Sequence, residues 1–168
     1  KKSSARKYEN SIEWLRDANL VNLCQNVSTP MFPLNAYAKG EQFKAYLSDT
    51  GLLSAMYGYD MKLAIIDDSL KGPAKGGFYE NLIGDMLVKR GYQLYYYRSQ
   101  NGEVEIEFLL SKDAQIIPVE VKANRGSTVS LNKILERDDR NYGYKLTSGN
   151  LGVQGKKRTL PMYMAMFL

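Results

Sequence analysis

The chain contains no histidine and only one cysteine, Cys24, among its 168 residues. Without histidine it has no imidazole general base, no Ser-His-Asp triad and no histidine-ligated zinc. A single cysteine provides no disulfide framework, which indicates a reducing compartment. These absences exclude several large enzyme classes and lead us to expect a cytoplasmic protein.

Long hydrophobic runs are also missing. No apolar run approaches the roughly 20 residues that a membrane-spanning helix needs, so we expect no membrane partner. No signal peptide is visible. The chain begins with Lys1 rather than methionine, and we expect it to be a piece of a longer protein. With 44% hydrophobic residues, it can bury one good core or two small ones.

Positive charge is concentrated toward the C-terminus. The formal net charge is +5, but residues 122–168 hold nine Lys/Arg against three Asp/Glu, a net charge of +6. Such an excess fits a polyanionic partner such as DNA, although a solvated basic surface would leave the same pattern. The candidate nucleic-acid-binding residues are Arg125, Lys133, Lys156, Lys157 and Arg158.

Two neighbouring segments, residues 101–110 and 115–122, show the period-two alternation of β-strands. In the first, apolar side chains face one way and glutamates the other: Val104, Ile106 and Phe108 against Glu103, Glu105 and Glu107. In the second, Glu120 and Lys122 share a face. The short loop between them predicts an antiparallel hairpin. Because like charges repel across strands, the acidic face indicates a bound cation, a solvated face or pairing with Lys and Arg.

The first part of the chain predicts a small α/β region. Helices are predicted over residues 4–18, from Asp49 to residue 56 and over residues 61–66, and strands over residues 20–27, 34–39 and 43–48. A helix followed by a small strand cluster is typical of a winged-helix unit. The glycine-rich residues 71–77 predict a flexible link. We therefore predict a winged-helix-like region over residues 1–76 and a second domain over residues 77–168.

The second domain begins with the strongest predicted helix, residues 78–90. A strand over residues 93–98 and the acidic hairpin follow. Next come a helix over residues 131–136 capped by Ser127 or Ser130, a strand over residues 142–147, a basic loop over residues 148–158 and a last strand over residues 161–167. The predicted order from residue 78 onward is α-β-β-β-α-β-β.

That order resembles the PD-(D/E)XK nuclease-like superfamily, also called the restriction-endonuclease-like fold. Glu120-x-Lys122 ends the third strand, Glu107 lies on the second, and Glu80 lies on the preceding helix. The chain more closely resembles the domain of unknown function that follows the ATPase core in many prokaryotic AAA-type ATPases. The motifs that carry this closer resemblance are Phe78-Tyr-Glu-Asn-Leu-Ile83, Tyr96-Tyr-Arg-Ser99, Glu105-Ile-Glu-Phe-Leu-Leu110 and Ile117-Pro-Val-Glu-Val-Lys122, with further matches over residues 8–15, 33–34 and 43–53.

The resemblance implies an α/β, restriction-endonuclease-like domain (αβββαββ, mixed sheet) and a Mg²⁺-dependent nuclease acting on DNA phosphodiesters. Glu107 and Glu120 would be oxygen ligands of Mg²⁺, and Glu80 would add a third oxygen ligand or hold a metal-bound water. Lys122 would orient and help deprotonate the attacking water and stabilise the developing charge. The implied partners are DNA and an ATPase core of the same polypeptide. This chain has no Gly-x-x-x-x-Gly-Lys-Ser/Thr loop, so such a core would lie outside it.

One position departs from the family pattern. The family usually has aspartate on the second strand, where this chain has Glu107. The extra methylene moves the carboxylate by roughly 1.5 Å, and Mg²⁺ demands near-ideal geometry. The alternative function is therefore a non-catalytic nucleic-acid-binding or protein-docking module that keeps the fold with a degraded nuclease-like site.

Overall fold

The computed structural model describes residues 8–123 and 126–168 of the chain. They form a mixed α/β fold around an eight-stranded sheet. The helices are α1 (Glu9–Asp17), α2 (Thr50–Tyr57), α3 (Tyr59–Ile66), α4 (Gly72–Lys89) and α5 (Val129–Leu135), with 3-10 turns at Leu34–Tyr37 and Met162–Phe167. The strands are β1 (Val21–Val27), β2 (Ala38–Leu47), β3 (Tyr95–Arg98), β4 (Glu105–Lys112), β5 (Gln115–Lys122), β6 (Gly143–Thr147), β7 (Gly152–Gln154) and β8 (Lys157–Pro161).

The strand order across the sheet is β2-β1-β3-β4-β5-β6-β8-β7. Parallel pairs join β1 to β3, β5 to β6 and β6 to β8, and the other neighbours are antiparallel. The central strand β5 is buried along most of its length. Its carboxyl end, which carries Glu120 and Lys122, therefore lies inside the sheet rather than at an edge.

Helices cover both faces of the sheet. Ile83 and Leu87 of α4 belong to one buried cluster together with Val119 of β5. Leu131 of α5 belongs to a second cluster that includes Ile116 of β5. Since Ile116 and Val119 point to opposite faces of their strand, α4 and α5 lie on opposite sides of the sheet. Each fully buried side chain of this kind contributes about 1.5–3 kcal/mol.

A β-bulge interrupts the predicted alternation of β4. Its pairing with β3 shifts register between the pairs Tyr95–Leu109 and Tyr97–Ile106. Ile106 consequently belongs to the cluster around α5, whereas Phe108 belongs to the cluster around α4. The prediction that Ile106 and Phe108 share a face is therefore wrong, because a bulge inserts one extra residue into the strand.

The N-terminal half differs from the sequence prediction in its strands. Residues 34–39 and 43–48 do not form two separate strands. A 3-10 turn at Leu34–Tyr37 leads instead into the ten-residue strand β2, which pairs along β1. The predicted flexible link over residues 71–77 is also wrong, since α4 begins at Gly72. Of the two residues predicted as possible caps of α2, Asp49 and Thr50, it is Asp49 that caps the helix, because its carboxylate accepts hydrogen bonds from the backbone of Gly51 and Leu52.

The C-terminal part differs as well. The basic segment predicted as a loop contains β7 and β8, which form a hairpin around Gly155. Gly155 adopts a φ of 56°, a conformation that suits glycine in a tight turn. The predicted last strand is a 3-10 turn, Met162–Phe167. Thr128 rather than Ser127 or Ser130 precedes α5.

Strands from both predicted regions join the same sheet, since β1 lies beside β3. The division into residues 1–76 and 77–168 stays a prediction. Among the described helices, none has the length and apolar character needed to cross a membrane.

Candidate active site

The hairpin of β4 and β5 brings Glu107, Glu120 and Lys122 together. The pairing of β4 with β5 ends at Phe108 opposite Val119, and Glu107 and Glu120 are the residues that come next to this pair. The Nζ atom of Lys122 lies 3.2 Å from Oε1 of Glu107 and 3.1 Å from Oε1 of Glu120. One ammonium group therefore bridges two carboxylates at the carboxyl end of the central strand.

Both carboxylates are withdrawn from water. Glu107 is 8% exposed and Glu120 is 2% exposed. The Oε2 atom of each is buried and has no hydrogen-bond partner among the described residues. A buried carboxylate oxygen without a partner carries a desolvation cost of about 1–3 kcal/mol or more. The site thus has two acceptor oxygens available for a proton or a cation.

Burial also changes how these groups ionise. It raises the pKa of Glu107 to about 7, although the charge of Lys122 opposes the change. Burial raises the pKa of Glu120 too, again against the effect of Lys122. Burial would lower the pKa of Lys122, but the two carboxylates outweigh it and the pKa is raised. Lys122 is therefore an ammonium ion near neutral pH.

Glu80 lies in a neighbouring ion cluster rather than in this group. Its Oε2 atom accepts a hydrogen bond from the Tyr46 hydroxyl at 3.1 Å and lies 3.4 Å from Nζ of Lys44. Lys44 also lies 2.8 Å from Oε1 of Glu105. Glu80 still acts on Glu107 through its charge, which adds to the effect of burial on the pKa of Glu107. Its predicted role as a metal ligand stays a prediction.

The chemistry of the donors decides whether Mg²⁺ suits this site. Mg²⁺ prefers oxygen ligands and is commonly held by one or two carboxylates, with waters and substrate phosphates completing its shell. The two unpaired Oε2 atoms of Glu107 and Glu120 meet that requirement. The described residues contain no group of three acidic or cysteine side chains arranged for a metal. The residues fit a two-carboxylate site, and they do not form a closed protein cage.

Three of the predicted nucleic-acid-binding residues, Lys133, Lys156 and Lys157, lie in or beside α5. Lys157 donates hydrogen bonds to Thr128 and Asn132 beside α5, whereas the exposed Lys156 donates to the backbone oxygen of Arg137. Lys133 pairs with Glu103 at 3.4 Å, and the Arg158 guanidinium lies 3.9 Å from the centre of the Tyr142 ring. The other predicted contact, Arg125, lies outside the described residues.

Sequence reasoning missed Lys44, Tyr46 and Lys145. Lys44 and Tyr46 hold Glu80. Lys145 lies opposite Glu120 in the register of β5 and β6. All three reach the site through pairing or packing between segments far apart in sequence. The alternation of β6 signals only that Gly143, Lys145 and Thr147 share a face.

The fold and this site define a class: a mixed α/β protein with two buried carboxylates and a lysine at the end of its central strand. The chain belongs to the family described as Domain of unknown function (DUF4143), whose model matches residues 75–164, more than half of its length. A second model, described as Domain of unknown function (DUF8612), matches residues 1–63. Searches of curated proteins and of solved structures found no match.

Proposed function

We propose that this chain is the C-terminal module of an AAA-type ATPase and acts as a Mg²⁺-dependent nuclease on DNA phosphodiesters. The observation that carries the proposal is the contact of Lys122 with two buried carboxylates, at 3.1 and 3.2 Å, each of which keeps an unpaired oxygen. A metal-dependent phosphodiester enzyme uses such a set, in which acidic oxygens hold the metal and a cation faces the phosphate.

The element order supports a restriction-endonuclease-like fold for the second domain. From residue 72 onward the order is α4-β3-β4-β5-α5-β6-β7-β8, which matches the expected αβββαββ with one short additional strand. The sheet is mixed, as the resemblance implies. Support for an ATPase parent comes from the sequence motifs quoted above, and the matched segment, residues 75–164, includes Glu80, Glu107, Glu120 and Lys122.

Each residue has a role that follows from its surroundings. Glu107 and Glu120 would hold Mg²⁺ through their unpaired oxygens, and the metal would supply charge stabilisation to the phosphate and activation of water. Lys122 is held as an ammonium by both carboxylates. An ammonium donates and does not accept, so Lys122 orients the phosphate and stabilises its negative charge rather than removing a proton.

A plasmid-nicking assay with Mg²⁺ or Mn²⁺ tests this function. Replacing Lys122 by alanine should lower the nicking rate roughly 100-fold, as for the loss of one charge-stabilising donor. Lys112→Ala is the matched control, because Lys112 is exposed at the turn end of the same hairpin. Equal nicking by the Lys122→Ala variant and the parent would rule the nuclease out, since a contaminating enzyme would explain the activity.

A second candidate is a non-catalytic nucleic-acid-binding or docking module. The observation that favours it is that the acidic groups are already compensated, by Lys122 at Glu107 and Glu120 and by Lys44 at Glu80. Soaking crystals with Mn²⁺ separates the two candidates. Metal density between Glu107 and Glu120 supports the nuclease, whereas an unchanged Lys122 bridge without density supports the second candidate.

A further inference from the structure

Two lysines lie beside the carboxylate pair without acidic partners. In the parallel pairing of β5 and β6, Lys145 lies directly opposite Glu120. In the pairing of β6 and β8, Lys157 lies opposite Gly143, two residues before Lys145. Residues two apart on a strand, and residues paired between strands, point to the same face. Lys145, Lys157 and Glu120 therefore share the face that α5 covers.

The hydrogen bonds of these two lysines go to neutral oxygens. Lys145 donates to the backbone oxygen of Gly126 at 3.1 Å. Lys157 donates to Oγ1 of Thr128 at 3.2 Å and to Oδ1 of Asn132 at 3.3 Å. Within residues 8–123 and 126–168, neither ammonium has a salt-bridge partner. Their charge is positioned by the fold but not neutralised by it.

Half of the other described lysines, five of ten, instead form ion pairs with carboxylates. Lys75 pairs with Asp68, Lys89 with Asp85 and Lys133 with Glu103. Lys145 and Lys157 are also half-buried, which makes an uncompensated charge more costly than on an open surface. An anion that binds beside the ammonium groups of Lys145 and Lys157 would compensate their charge and stabilise the fold.

Both ammonium groups are close enough to the carboxylate site to act on Glu120. Each acts on Glu120 through its charge and lowers the pKa of that carboxyl, against the larger effect of burial. Strands β5 and β6 lie about 4.8 Å apart, so Lys145 is one strand spacing from Glu120. Lys145 contacts the backbone oxygen of Gly126. The Lys122 side chain lies close to the same glycine, since a Cβ added at Gly126 would lie 3.5 Å from Cδ of Lys122.

We propose that Lys145 and Lys157 form a phosphate subsite next to Glu120, which binds a backbone phosphate of DNA adjacent to the phosphate that Mg²⁺ at Glu107 and Glu120 would contact. This inference rests on the proposed nuclease function for the identity of the polymer. The compact ammonium group is a point charge suited to phosphate oxygens. Thr159, which pairs with Lys145 on the same face, adds a hydroxyl donor. Arg158 follows Lys157 and so points to the opposite face.

Binding of DNA can be measured apart from cleavage. A short fluorescein-labelled duplex is titrated with the full chain in EDTA, and its anisotropy is followed over a series of KCl concentrations. The Lys145→Gln/Lys157→Gln variant should bind roughly tenfold more weakly. The slope of log K against log salt should fall in magnitude by about 0.9 if one phosphate contact is lost. Lys112→Gln, with the same change of charge at the far end of the hairpin, should retain the parental slope.

Further variants distinguish the loss of a positive charge from a loss of folding. Lys145→Arg keeps the charge and should retain the parental slope, and the single Lys145→Gln and Lys157→Gln variants should each weaken binding partly. Circular dichroism and thermal melting establish that each variant is folded.

The outcomes separate the subsite from the nuclease. A double variant that binds with the parental slope, or a parent that does not bind DNA, overturns the subsite. If the parent nicks plasmid and the double variant binds DNA normally, the nuclease proposal is supported and the subsite proposal is refuted. A parent that shows the expected salt dependence but never nicks supports the subsite and refutes the nuclease.

Discussion

Glu107 is a buried glutamate whose carboxyl group has a raised pKa in the folded protein. Burial raises its pKa from 4.5 to about 7, so the folded chain keeps a proton there that the unfolded chain has lost. Between these two values the folded state binds more protons than the unfolded state. The free energy of unfolding should therefore fall as the pH rises from about 4.5 to about 7.

The Glu107→Gln variant removes this dependence. We expect the stability of the parent relative to Glu107→Gln to decrease over that pH interval by at most about 3 kcal/mol. Urea unfolding at a series of pH values, in EDTA, measures the difference. Glu103→Gln serves as the control, because it makes the same substitution at an exposed position just before β4. A constant difference between parent and Glu107→Gln would show that Glu107 titrates normally in the fold.

The close packing of strands β5 and β6 and helix α5 depends on Gly143, which has no side chain. A Cβ added at Gly143 would lie 2.8 Å from Cγ and 3.0 Å from the backbone oxygen of Pro118, and 3.1 Å from Cδ1 of Leu131. Gly143 thus lets β6 approach Pro118, two residues before Glu120. The Gly143→Ala substitution should force these elements apart and lower the free energy of unfolding by about 2 kcal/mol.

Urea denaturation measures this effect, and Gly40→Ala is the matched control. Gly40 lies in β2 with no atom within 4 Å of an added Cβ, so this change should shift stability by no more than about 0.5 kcal/mol. Equal midpoints for the two variants would contradict the close packing at Gly143.

Local pattern predicted some elements and missed others for a physical reason. The hairpin that carries Glu107, Glu120 and Lys122 was predicted from local signals, period two and a short turn. The choice of these three side chains as a group came from the family resemblance. The bulge in β4, the β7–β8 hairpin and the pairing of Lys145 with Glu120 depend on strands that are distant in sequence. Alternation within one strand carries no information on its neighbours.

Contacts between the described residues cross the predicted domain boundary at residue 76. The side-chain amide of Asn81 in α4 accepts a hydrogen bond from the Leu47 backbone at 2.7 Å and donates to the Leu47 oxygen at 3.0 Å. Tyr46 belongs to the same buried cluster as Ile83 and Phe108. Since β1 also pairs with β3, a cut at residue 76 would break one sheet and one core, and it would sever α4 within its first turns.

We therefore expect the described fold to unfold as one cooperative unit. Calorimetry of the full chain should show a single transition with equal calorimetric and van't Hoff enthalpies. A fragment of residues 77–168 should not fold alone, because it exposes the edge of β3 and leaves Asn81 without its backbone partner. A fragment of residues 71–168, which keeps α4 complete, is the control for damage to that helix and should fail as well. Two separate transitions, or a folded 77–168 fragment with native-like circular dichroism, would instead support two independent domains.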